Sequence, residues 1–326
     1  MNAFSYLRPT TEHEALHALA EPGSVALAGG TTLVDLMRIE VMRPVRVVDL
    51  GGLALDRIDA TSRGITIGAL ASNTAVADHA EIRSRFPVLA EALESGASGQ
   101  LRNMASVGGN LLQRTRCPYF RDLATPCNKR SPGSGCSAFD GFTRMHAVIG
   151  GSPNCIAVTP SDMCVALLAL DAVVHVMSTT GERAIPIGDL HTLPDDRPNI
   201  EHTLKPGELV MAVELVDTPI AKRSKYVKVR DRASFAFALA SAAVGLDIEG
   251  DAIKNARVAL GGVATTPWRE RSVEQALIGK RATKQTFDAA AKLALANATP
   301  RPDNAFKVDL ARRVIARALA LAGGVS

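Results

Sequence analysis

Cysteine is missing from most of this chain, and aromatic residues, charge of one sign and long apolar runs are scarce. All five cysteines of the 326 residues lie between positions 117 and 164. Aromatic residues make up 4% of the chain, with one Trp and three Tyr, and the net charge is only +4. Nucleic-acid binding needs a basic surface and rings that stack on bases, so we expect no nucleic-acid partner.

Apolar runs long enough for a membrane are also missing. The longest uncharged apolar run, residues 233–246, has 14 residues and is too short to span a bilayer, so we expect no membrane insertion. The first residues, MNAFSYLRPTTEHEALH, lack a basic segment followed by an apolar run, so no signal peptide is expected. Disulfide frameworks normally accompany secretion, so clustered thiols without such a signal suggest a metal or a cluster.

What is present is an ordinary globular composition, with 47% apolar and 21% charged residues, and a length that suits about two domains. A domain boundary is predicted between Thr218 and Lys225, and an irregular segment of the kind that usually serves a function is predicted between Thr115 and Pro153. A Gly-, Ser- and Asn-rich loop is predicted over Gly96–Asn110. Periodicity predicts helices over 12–20, 31–38, 73–79, 87–95, 161–170, 286–295 and 306–321, and strands over 25–28, 46–50, 64–68, 172–177, 226–229 and 256–263.

Two glycine pairs are candidate phosphate sites. Gly29-Gly30-Thr31-Thr32 follows a short apolar strand, and Ser106-Val107-Gly108-Gly109-Asn110 has similar chemistry. Adjacent glycines let backbone N–H groups approach a phosphate, although either loop alone also reads as a plain turn. Two such loops suit a ligand with two phosphates. Neither is a Rossmann fingerprint or a P-loop.

Four cysteines, Cys117, Cys127, Cys136 and Cys155, offer thiolates on irregular chain. The short paired spacings of structural zinc sites are missing, whereas four thiols without local pairing fit a [4Fe–4S] cluster. Zinc and incidental core cysteines remain alternatives at this point. Cys164 lies in the apolar run MCVALLAL and is interpreted as a buried structural thiol.

Two further segments carry polar groups of interest. Ser161 and Asp162 open a predicted helix, where either is first of all an N-cap, with a ligand hydrogen bond as a second role. Lys228 begins the charged run KVRDR, which is either solvated surface or a cation beside an electron-accepting ring such as a flavin. The seven histidines form no metal motif and no nucleophile elbow is present, so hydrolase chemistry has no support.

Together, AGGTTLVDLM, QLRNMASVGGN and TPSD resemble the FAD-binding medium subunit of the xanthine dehydrogenase/molybdenum hydroxylase family. The resemblance covers essentially the whole chain. It implies an α+β fold, with a two-part FAD-binding domain of PCMH type over 1–220 and a smaller α+β domain of the CO dehydrogenase flavoprotein type over 221–326. An insertion at about 113–158 separates the second glycine loop from TPSD and resembles that of the [4Fe–4S]-containing flavin subunits of periplasmic aldehyde oxidoreductases.

The resemblance also implies roles for individual residues. The FAD pyrophosphate is expected at 26–33, and the other glycine loop is expected on the flavin side. Asp162, after Ser161, is expected to bond the ribityl or flavin region. The complete expected FAD-binding set is Ala26, Leu27, Ala28, Gly29, Gly30, Thr31, Thr32, Leu33, Ser106, Gly108, Gly109, Asn110, Ser161, Asp162, Val210 and Lys228, with Val210 and Lys228 near the isoalloxazine. The expected cluster ligands are Cys117, Cys127, Cys136 and Cys155. Relatives often carry Tyr-Arg where this chain has Phe306-Lys307, which puts an acceptor role for that pair in doubt.

The function implied is that of an electron-transfer subunit of a heterotrimeric, molybdenum-containing aldehyde oxidoreductase, with no catalytic residue of its own for the hydroxylation. Its partners would be a large molybdopterin-binding subunit and a small subunit with two [2Fe–2S] clusters. Such a complex would be periplasmic after export or cytoplasmic. Two alternatives remain: a beta subunit of a 4-hydroxybenzoyl-CoA reductase-like enzyme, and a zinc-stapled structural adaptor without FAD.

Overall fold

The strands of the chain lie in three sheets in a computed structural model that describes residues 1–325. The strands are β1 (Ser5–Leu7), β2 (Ser24–Leu27), β3 (Arg46–Asp49), β4 (Ile58–Ala60), β5 (Gly64–Gly68), β6 (Val173–Ser178), β7 (Gly181–Pro186), β8 (Leu209–Val216), β9 (Ser224–Val229), β10 (Ala240–Glu249), β11 (Ala252–Gly261) and β12 (Trp268–Arg269). The helices are α1 (Glu12–Ala20), α2 (Leu33–Arg38), α3 (Asn73–Asp78), α4 (Ala80–Arg85), α5 (Pro87–Ser95), α6 (Gly99–Met104), α7 (Val107–Leu111), α8 (Pro118–Arg121), α9 (Asp162–Ala169), α10 (Ile187–Leu190), α11 (Pro219–Lys222), α12 (Arg271–Leu277), α13 (Lys284–Ala291) and α14 (Phe306–Gly323). The α+β class expected from the sequence is confirmed.

The N-terminal sheet is parallel and positions the first glycine loop. Its central strand β3 pairs with β1 on one side and β2 on the other. Parallel neighbours need crossover connections, and α1 and α2 supply them. The Thr11 hydroxyl starts α1 by accepting the amide of Glu14 at 3.2 Å, and α1 buries Ala15 and Leu16. The loop after β2 therefore leaves the carboxyl edge of a parallel sheet, where such sheets usually bind ligands.

The middle sheet is antiparallel, in the order β4-β5-β8-β6-β7. Its strands alternate between core and outer face, as in β5, where Ile65 and Ile67 are buried and Thr66 between them is exposed. Val76 of α3, Leu89 of α5 and other residues of α5 and α9 belong to the same apolar core. The sheet thus supports the helices that carry Asp162 and the second glycine loop.

The C-terminal sheet, β12-β11-β10-β9, is covered on both faces. Helices α12 and α14 pack on one side, and α5 and α9 of the preceding region contact the other. Because of this double cover, β10 is buried from Ala240 to Leu246 and consists mainly of small residues. A Cβ at Gly245 would stand 2.5 Å from the Ile220 side chain, so the close approach of α11 requires glycine.

The cysteine-rich segment 113–158 has little regular structure besides α8 and is held by contacts to other regions. Ile149 forms a bridge with Ala264, and the Thr143 amide donates to Asp303 at 3.2 Å. The Lys129 ammonium donates to the carbonyl of Pro198 at 2.8 Å. The predicted irregular segment is therefore present, and it lies against both the middle and the C-terminal parts of the chain.

Sequence periodicity located several elements at their observed bounds, including α1, β5 and α5. The prediction of a loop over Gly96–Asn110 is wrong in part, because the segment contains α6 and α7. Each is a single turn or slightly more, started by a serine: the Ser98 hydroxyl accepts from Leu101 and the Ser106 hydroxyl from Gly109. The periodicity also missed β8, which is a central strand of the middle sheet. In residues 1–325, no helix combines the length and apolar character that crossing a bilayer requires.

Candidate functional site

The first glycine loop is fixed by a close contact with the end of α6, just before the second glycine loop. A Cβ at Gly29 would stand 1.6 Å from the carbonyl oxygen of Met104, so only glycine allows the two backbones to lie together here. Gly30 has a φ of 73°, which places it in the left-handed region that glycine favours. Thr31 and Thr32 follow and line a cleft.

The second glycine loop forms the start of α7. Gly109 donates its amide to the Ser106 hydroxyl at 3.2 Å. The Asn110 side-chain oxygen accepts from the Ser161 hydroxyl at 2.7 Å and from the Gln113 amide at 2.6 Å. Ser161 in turn caps α9 by accepting the Cys164 amide at 3.0 Å. The N-terminus of α9 is therefore joined to the second glycine loop.

These loops border a cleft of about 660 Å³, within the range of small-molecule sites. Of the residues predicted to bind FAD, six line this cleft: Thr31, Thr32, Gly109, Asn110, Asp162 and Lys228. The others, Ala26, Leu27, Ala28, Gly29, Gly30, Leu33, Ser106, Gly108, Ser161 and Val210, are outside the lining. Val210 is buried in β8 within the apolar core, so the structure does not bring its side chain to the cleft.

Asp162 and Lys228 form a buried ion pair at the cleft wall. The Lys228 ammonium lies 2.7 Å from the Asp162 carboxylate, and the two side chains are 3% and 10% exposed. Tyr226 donates its hydroxyl to the same carboxylate at 2.6 Å. Burial and the charge of Asp162 hold the pKa of Tyr226 well above its usual value, so Tyr226 stays a donor. The pair fixes the Lys228 ammonium beside the cleft together with its counter-charge.

Several lining residues were not found by the sequence reasoning. Arg116 immediately precedes Cys117 and contacts the first glycine loop, with a guanidinium nitrogen 3.3 Å from the Thr32 hydroxyl. Phe235 and Phe237 also line the cleft and are 53% and 41% exposed, and the guanidinium carbon of Arg116 lies 5.4 Å from the centre of the Phe237 ring. The sequence could have indicated them, because two phenylalanines close to the charged run 228–232 are unusual in a chain that has few aromatic residues.

The four predicted cluster ligands, Cys117, Cys127, Cys136 and Cys155, line one small cavity inside the insertion. All are free thiols, and Cys127 pairs with Cys136 through a backbone bridge. His146 also lines the cavity, and its Nε2 lies 3.2 Å from the Cys117 sulfur. The structure therefore joins side chains that are up to 38 residues apart in sequence.

Backbone amides are directed at the sulfur atoms of this cavity. Burial raises the pKa of Cys117 to about 12, while hydrogen bonds from the amides of Phe120 and Tyr119 oppose that rise. Burial likewise raises the pKa of Cys136 and of Cys155, and the Ala157 amide donates to the Cys155 sulfur at 3.4 Å. Buried sulfurs with N–H donors around them are suited to a metal group that replaces their protons.

The spacing of the thiols bears on which group they fit. In residues 1–325, no three His, Cys, Asp or Glu side chains stand close enough to share one metal ion. A single zinc ion holds each thiolate at about 2.3 Å, so its four sulfurs must crowd together. In a [4Fe–4S] cluster each thiolate binds a different iron, so the sulfurs stand farther apart around a larger body. Four thiols on one cavity equal in number the ligands of a [4Fe–4S] cluster.

A second cavity lies between the cleft and the thiols. It shares Arg116, Met145, Asp162 and Phe237 with the cleft, and Cys117 and His146 with the thiol cavity. Its two ends thus adjoin both candidate cofactor sites.

Cys164 and the pair Phe306-Lys307, which the sequence also singled out, lie outside the cleft lining. Cys164 is fully buried in α9, which confirms its interpretation as a core thiol, and burial raises its pKa to about 12. Lys307 is fully buried and donates to the carbonyls of His146 at 3.0 Å and Gly262 at 2.7 Å. The Arg144 guanidinium lies over the Phe306 ring, with its central carbon 4.9 Å from the centre of the ring.

Comparison with known proteins gives consistent matches over the whole chain. Residues 2–215 match the family described as the FAD binding domain in molybdopterin dehydrogenase, and residues 225–322 match the CO dehydrogenase flavoprotein C-terminal domain. The aldehyde oxidoreductase FAD-binding subunit of Escherichia coli is 48% identical over 324 residues, covering 98% of each chain. The carbon monoxide dehydrogenase medium chain of Hydrogenophaga pseudoflava is 26% identical, covering 97% of this chain and 96% of the relative.

Solved structures show the same fold. CO dehydrogenase from Oligotropha carboxidovorans superposes with a TM-score of 0.78 at 22% identity, covering 100% of this chain and 99% of that one. Quinoline 2-oxidoreductase from Pseudomonas putida superposes with a TM-score of 0.77 at 23% identity, covering 99% and 98%.

Proposed function

The chain belongs to the family of FAD-binding domains of molybdopterin dehydrogenases, and we propose that it is the FAD- and [4Fe–4S]-binding electron-transfer subunit of an aldehyde oxidoreductase. It is thus the flavoprotein subunit of an oxidoreductase. The observation that carries the FAD site is the cleft between the two glycine loops. Thr31 and Thr32 from one loop and Gly109 and Asn110 from the other line it together.

In this proposal the two loops bind the phosphate-bearing part of FAD. The backbone at Gly29–Gly30 approaches without side chains in the way, and the hydroxyls of Thr31 and Thr32 add donors. The other predicted FAD contacts, from residues outside the cleft lining, would act through their backbone. This applies to Ala26, Leu27, Ala28, Leu33, Ser106 and Gly108, whereas Val210 lies in a central strand within the apolar core and is not proposed to contact FAD.

The ion pair of Asp162 and Lys228 serves the redox-active end of the cofactor. Bound FAD supplies a two-electron acceptor, and a reduced flavin carries negative charge. The Lys228 ammonium, held by Asp162 and by the Ser95 carbonyl at 3.1 Å, would favour that charge without having to move. Ser161 holds the N-terminus of α9, and so Asp162, against Asn110.

The [4Fe–4S] cluster is proposed from the thiols, since the family description names FAD alone. Its ligands would be Cys117, Cys127, Cys136 and Cys155. Support comes from their convergence on one cavity, their burial, and the amides of Phe120, Tyr119 and Ala157 that face the sulfurs. Such hydrogen bonds are among the factors that set the reduction potential of an iron–sulfur cluster.

The partners follow from the relatives. The 48% identical relative is a subunit of an aldehyde oxidoreductase, and the carbon monoxide dehydrogenase relative is a medium chain. We propose a large molybdopterin-binding subunit and a small subunit with two [2Fe–2S] clusters, from which electrons reach FAD and then an external acceptor. We also propose a division into an FAD-binding part, 1–220, and a C-terminal part, 221–326, with the cysteine-rich insertion at 113–158 in the first.

The test is a cofactor assay of the complex purified without oxygen. Released flavin is measured after acid treatment, and iron is measured in the wild type, in Cys136→Ala and in Cys164→Ala. We expect one FAD and about eight iron atoms per trimer, of which about four belong to this chain. Cys136→Ala should lose those four, and Cys164→Ala, altered at a buried thiol outside the cavity, should keep them. Full iron in Cys136→Ala would refute the cluster; a wild type without flavin would refute the FAD site.

A further inference from the structure

The cysteine-rich insertion contributes an arginine to the FAD cleft. Arg116 lines the cleft and lies directly before Cys117, which lines the thiol cavity. One of its terminal nitrogens is 3.3 Å from the Thr32 hydroxyl, and the other is 3.2 Å from the Asp35 carboxylate. The guanidinium thus stands against the first glycine loop, where the phosphates are proposed to bind.

The other cations of the cleft contact acceptors that lie outside the first glycine loop. Arg102 donates to the carbonyls of Glu94 and Gly96. Lys228 is paired with Asp162, and Arg232 donates to the carbonyl of Phe235. Within residues 1–325, none of these three side chains forms a hydrogen bond with the first glycine loop.

Charge near Arg116 is not balanced within the chain. Asp35 is shared by Arg116 and Arg121, at 3.2 and 2.9 Å, so two guanidinium groups meet one carboxylate. The buried Nε of Arg116 also has no hydrogen-bond partner among the described residues. A buried donor without a partner costs free energy, which added negative charge near the guanidinium would offset.

We propose that the Arg116 guanidinium binds the pyrophosphate of FAD, as a positioning residue supplied by the cysteine-rich insertion. The inference rests on the proposed FAD site and extends it. A planar guanidinium matches phosphate oxygens better than an ammonium does, since it offers two parallel donors. With an anion in place, the excess positive charge around Asp35 is neutralised.

One consequence links the two cofactor sites. Because Arg116 and Cys117 are adjacent, the position of one backbone restricts the other. Binding of FAD and filling of the thiol cavity would then favour each other, and such a linkage is reciprocal.

The first test measures FAD binding to the apo-complex of Arg116→Gln, Arg116→Lys and Arg121→Gln. Arg121 is the matched control, because it pairs with the same Asp35 and is outside the cleft lining. Loss of a hydrogen bond to a charged group predicts a dissociation constant raised about 10- to 100-fold in Arg116→Gln. We expect a smaller rise in Arg116→Lys and less than a threefold rise in Arg121→Gln. Equal losses in Arg116→Gln and Arg121→Gln, or no loss in the former, would overturn the inference.

The second test needs no substitution. The side chains of Arg116 and Arg121 are 25% and 26% exposed, so an arginine-specific dicarbonyl reagent should reach both in the apo-complex. Mass spectrometry should find Arg116 protected by FAD, and also by ADP, while Arg121 reacts alike in all samples. Equal reactivity of Arg116 with and without bound FAD would refute the contact. Failure of the wild type to bind FAD at all would instead refute the proposed function.

Discussion

At the scale of single residues, the cleft depends on charges that are buried together. The Lys228 ammonium is almost wholly removed from water and has the Asp162 carboxylate and the Ser95 carbonyl as partners. Burying one charge alone is costly, so each member of the pair is needed because the other is present. The Tyr226 hydroxyl completes the coordination of Asp162.

Asp162→Asn should therefore destabilise the protein more than a surface substitution does. Removing one partner of a buried pair costs about 3–5 kcal/mol, because the other charge stays buried and unpaired. Denaturant titration should show that loss in the free energy of unfolding. The double variant Asp162→Asn/Lys228→Met should recover part of it. A single variant as stable as the wild type would contradict the buried pair.

Gly29 gives a second prediction at this scale. Gly29→Ala would place a Cβ 1.6 Å from the Met104 carbonyl oxygen, so the first glycine loop must move away from the end of α6. We expect a lower melting temperature and loss of most bound FAD. Gly99→Ala is the control, because no atom lies within 4 Å of its added Cβ and alanine favours the helix α6. If Gly29→Ala kept full flavin content, the close contact between Gly29 and Met104 would not be needed for FAD binding.

Sequence reasoning reached some cleft residues and not others for a physical reason. Thr31, Gly109 and Asp162 lie in short motifs in which residues adjacent in sequence form the glycine loop or the start of the helix, so the sequence alone predicts them. Arg116 acts through Asp35 and Thr32, more than 80 residues earlier. No local pattern encodes a contact of that kind.

At the scale of secondary-structure elements, short capped helices and central strands were the difficult cases. The glycines of α6 and α7 weaken any helical pattern, and serine caps start each helix. In β8, Leu209 and Val210 are both buried, so the expected alternation is lost. Strong periodicity with a clear cap, as in α1 after Thr11, was sufficient for an accurate prediction.

Helix α14 is joined to the insertion by a lysine. Lys307 is fully buried and donates to carbonyl groups of His146, in the insertion, and Gly262, after β11. Burial lowers the pKa of Lys307 from 10.5 to about 7. The sequence marked this position only as a departure from relatives; the structure gives it a role in packing.

Lys307 predicts a pH dependence of stability. Between about pH 7 and 10.5 the unfolded chain binds a proton at this amine that the folded chain does not. The free energy of unfolding should therefore rise with pH in this window through Lys307, by at most about 1.4 kcal/mol per unit. Below about pH 7 both states bind the proton and the contribution to the slope disappears.

Denaturant titrations of the wild type and Lys307→Met from pH 6 to 9.5 isolate this contribution, since other groups titrate alike in both. The difference in unfolding free energy between wild type and variant should be flat below pH 7 and rise above it. A difference that stays flat across the whole range would show that the amine is not buried as described.

At the scale of the whole molecule, the cleft and the thiol cavity adjoin. The cavity between them shares Arg116 with the cleft and Cys117 with the thiol cavity. The middle sheet supports the FAD cleft, and the insertion is held by the C-terminal part through Ile149 and Lys307. The arrangement suits a subunit that passes electrons and leaves the oxidation of substrate to a partner.

The most direct measurement of this account is the flavin absorption of the intact complex after rapid anaerobic mixing with an aldehyde. The account predicts that the flavin band bleaches and that it returns when an external acceptor is added. It also predicts no bleaching of this subunit alone, since the oxidation of substrate is proposed to belong to the large subunit. Flavin that stays oxidised in the complex, and is reduced only by a low-potential donor, would contradict electron transfer from substrate through FAD to an external acceptor. It would favour electron transfer in the opposite direction, as in a 4-hydroxybenzoyl-CoA reductase-like enzyme.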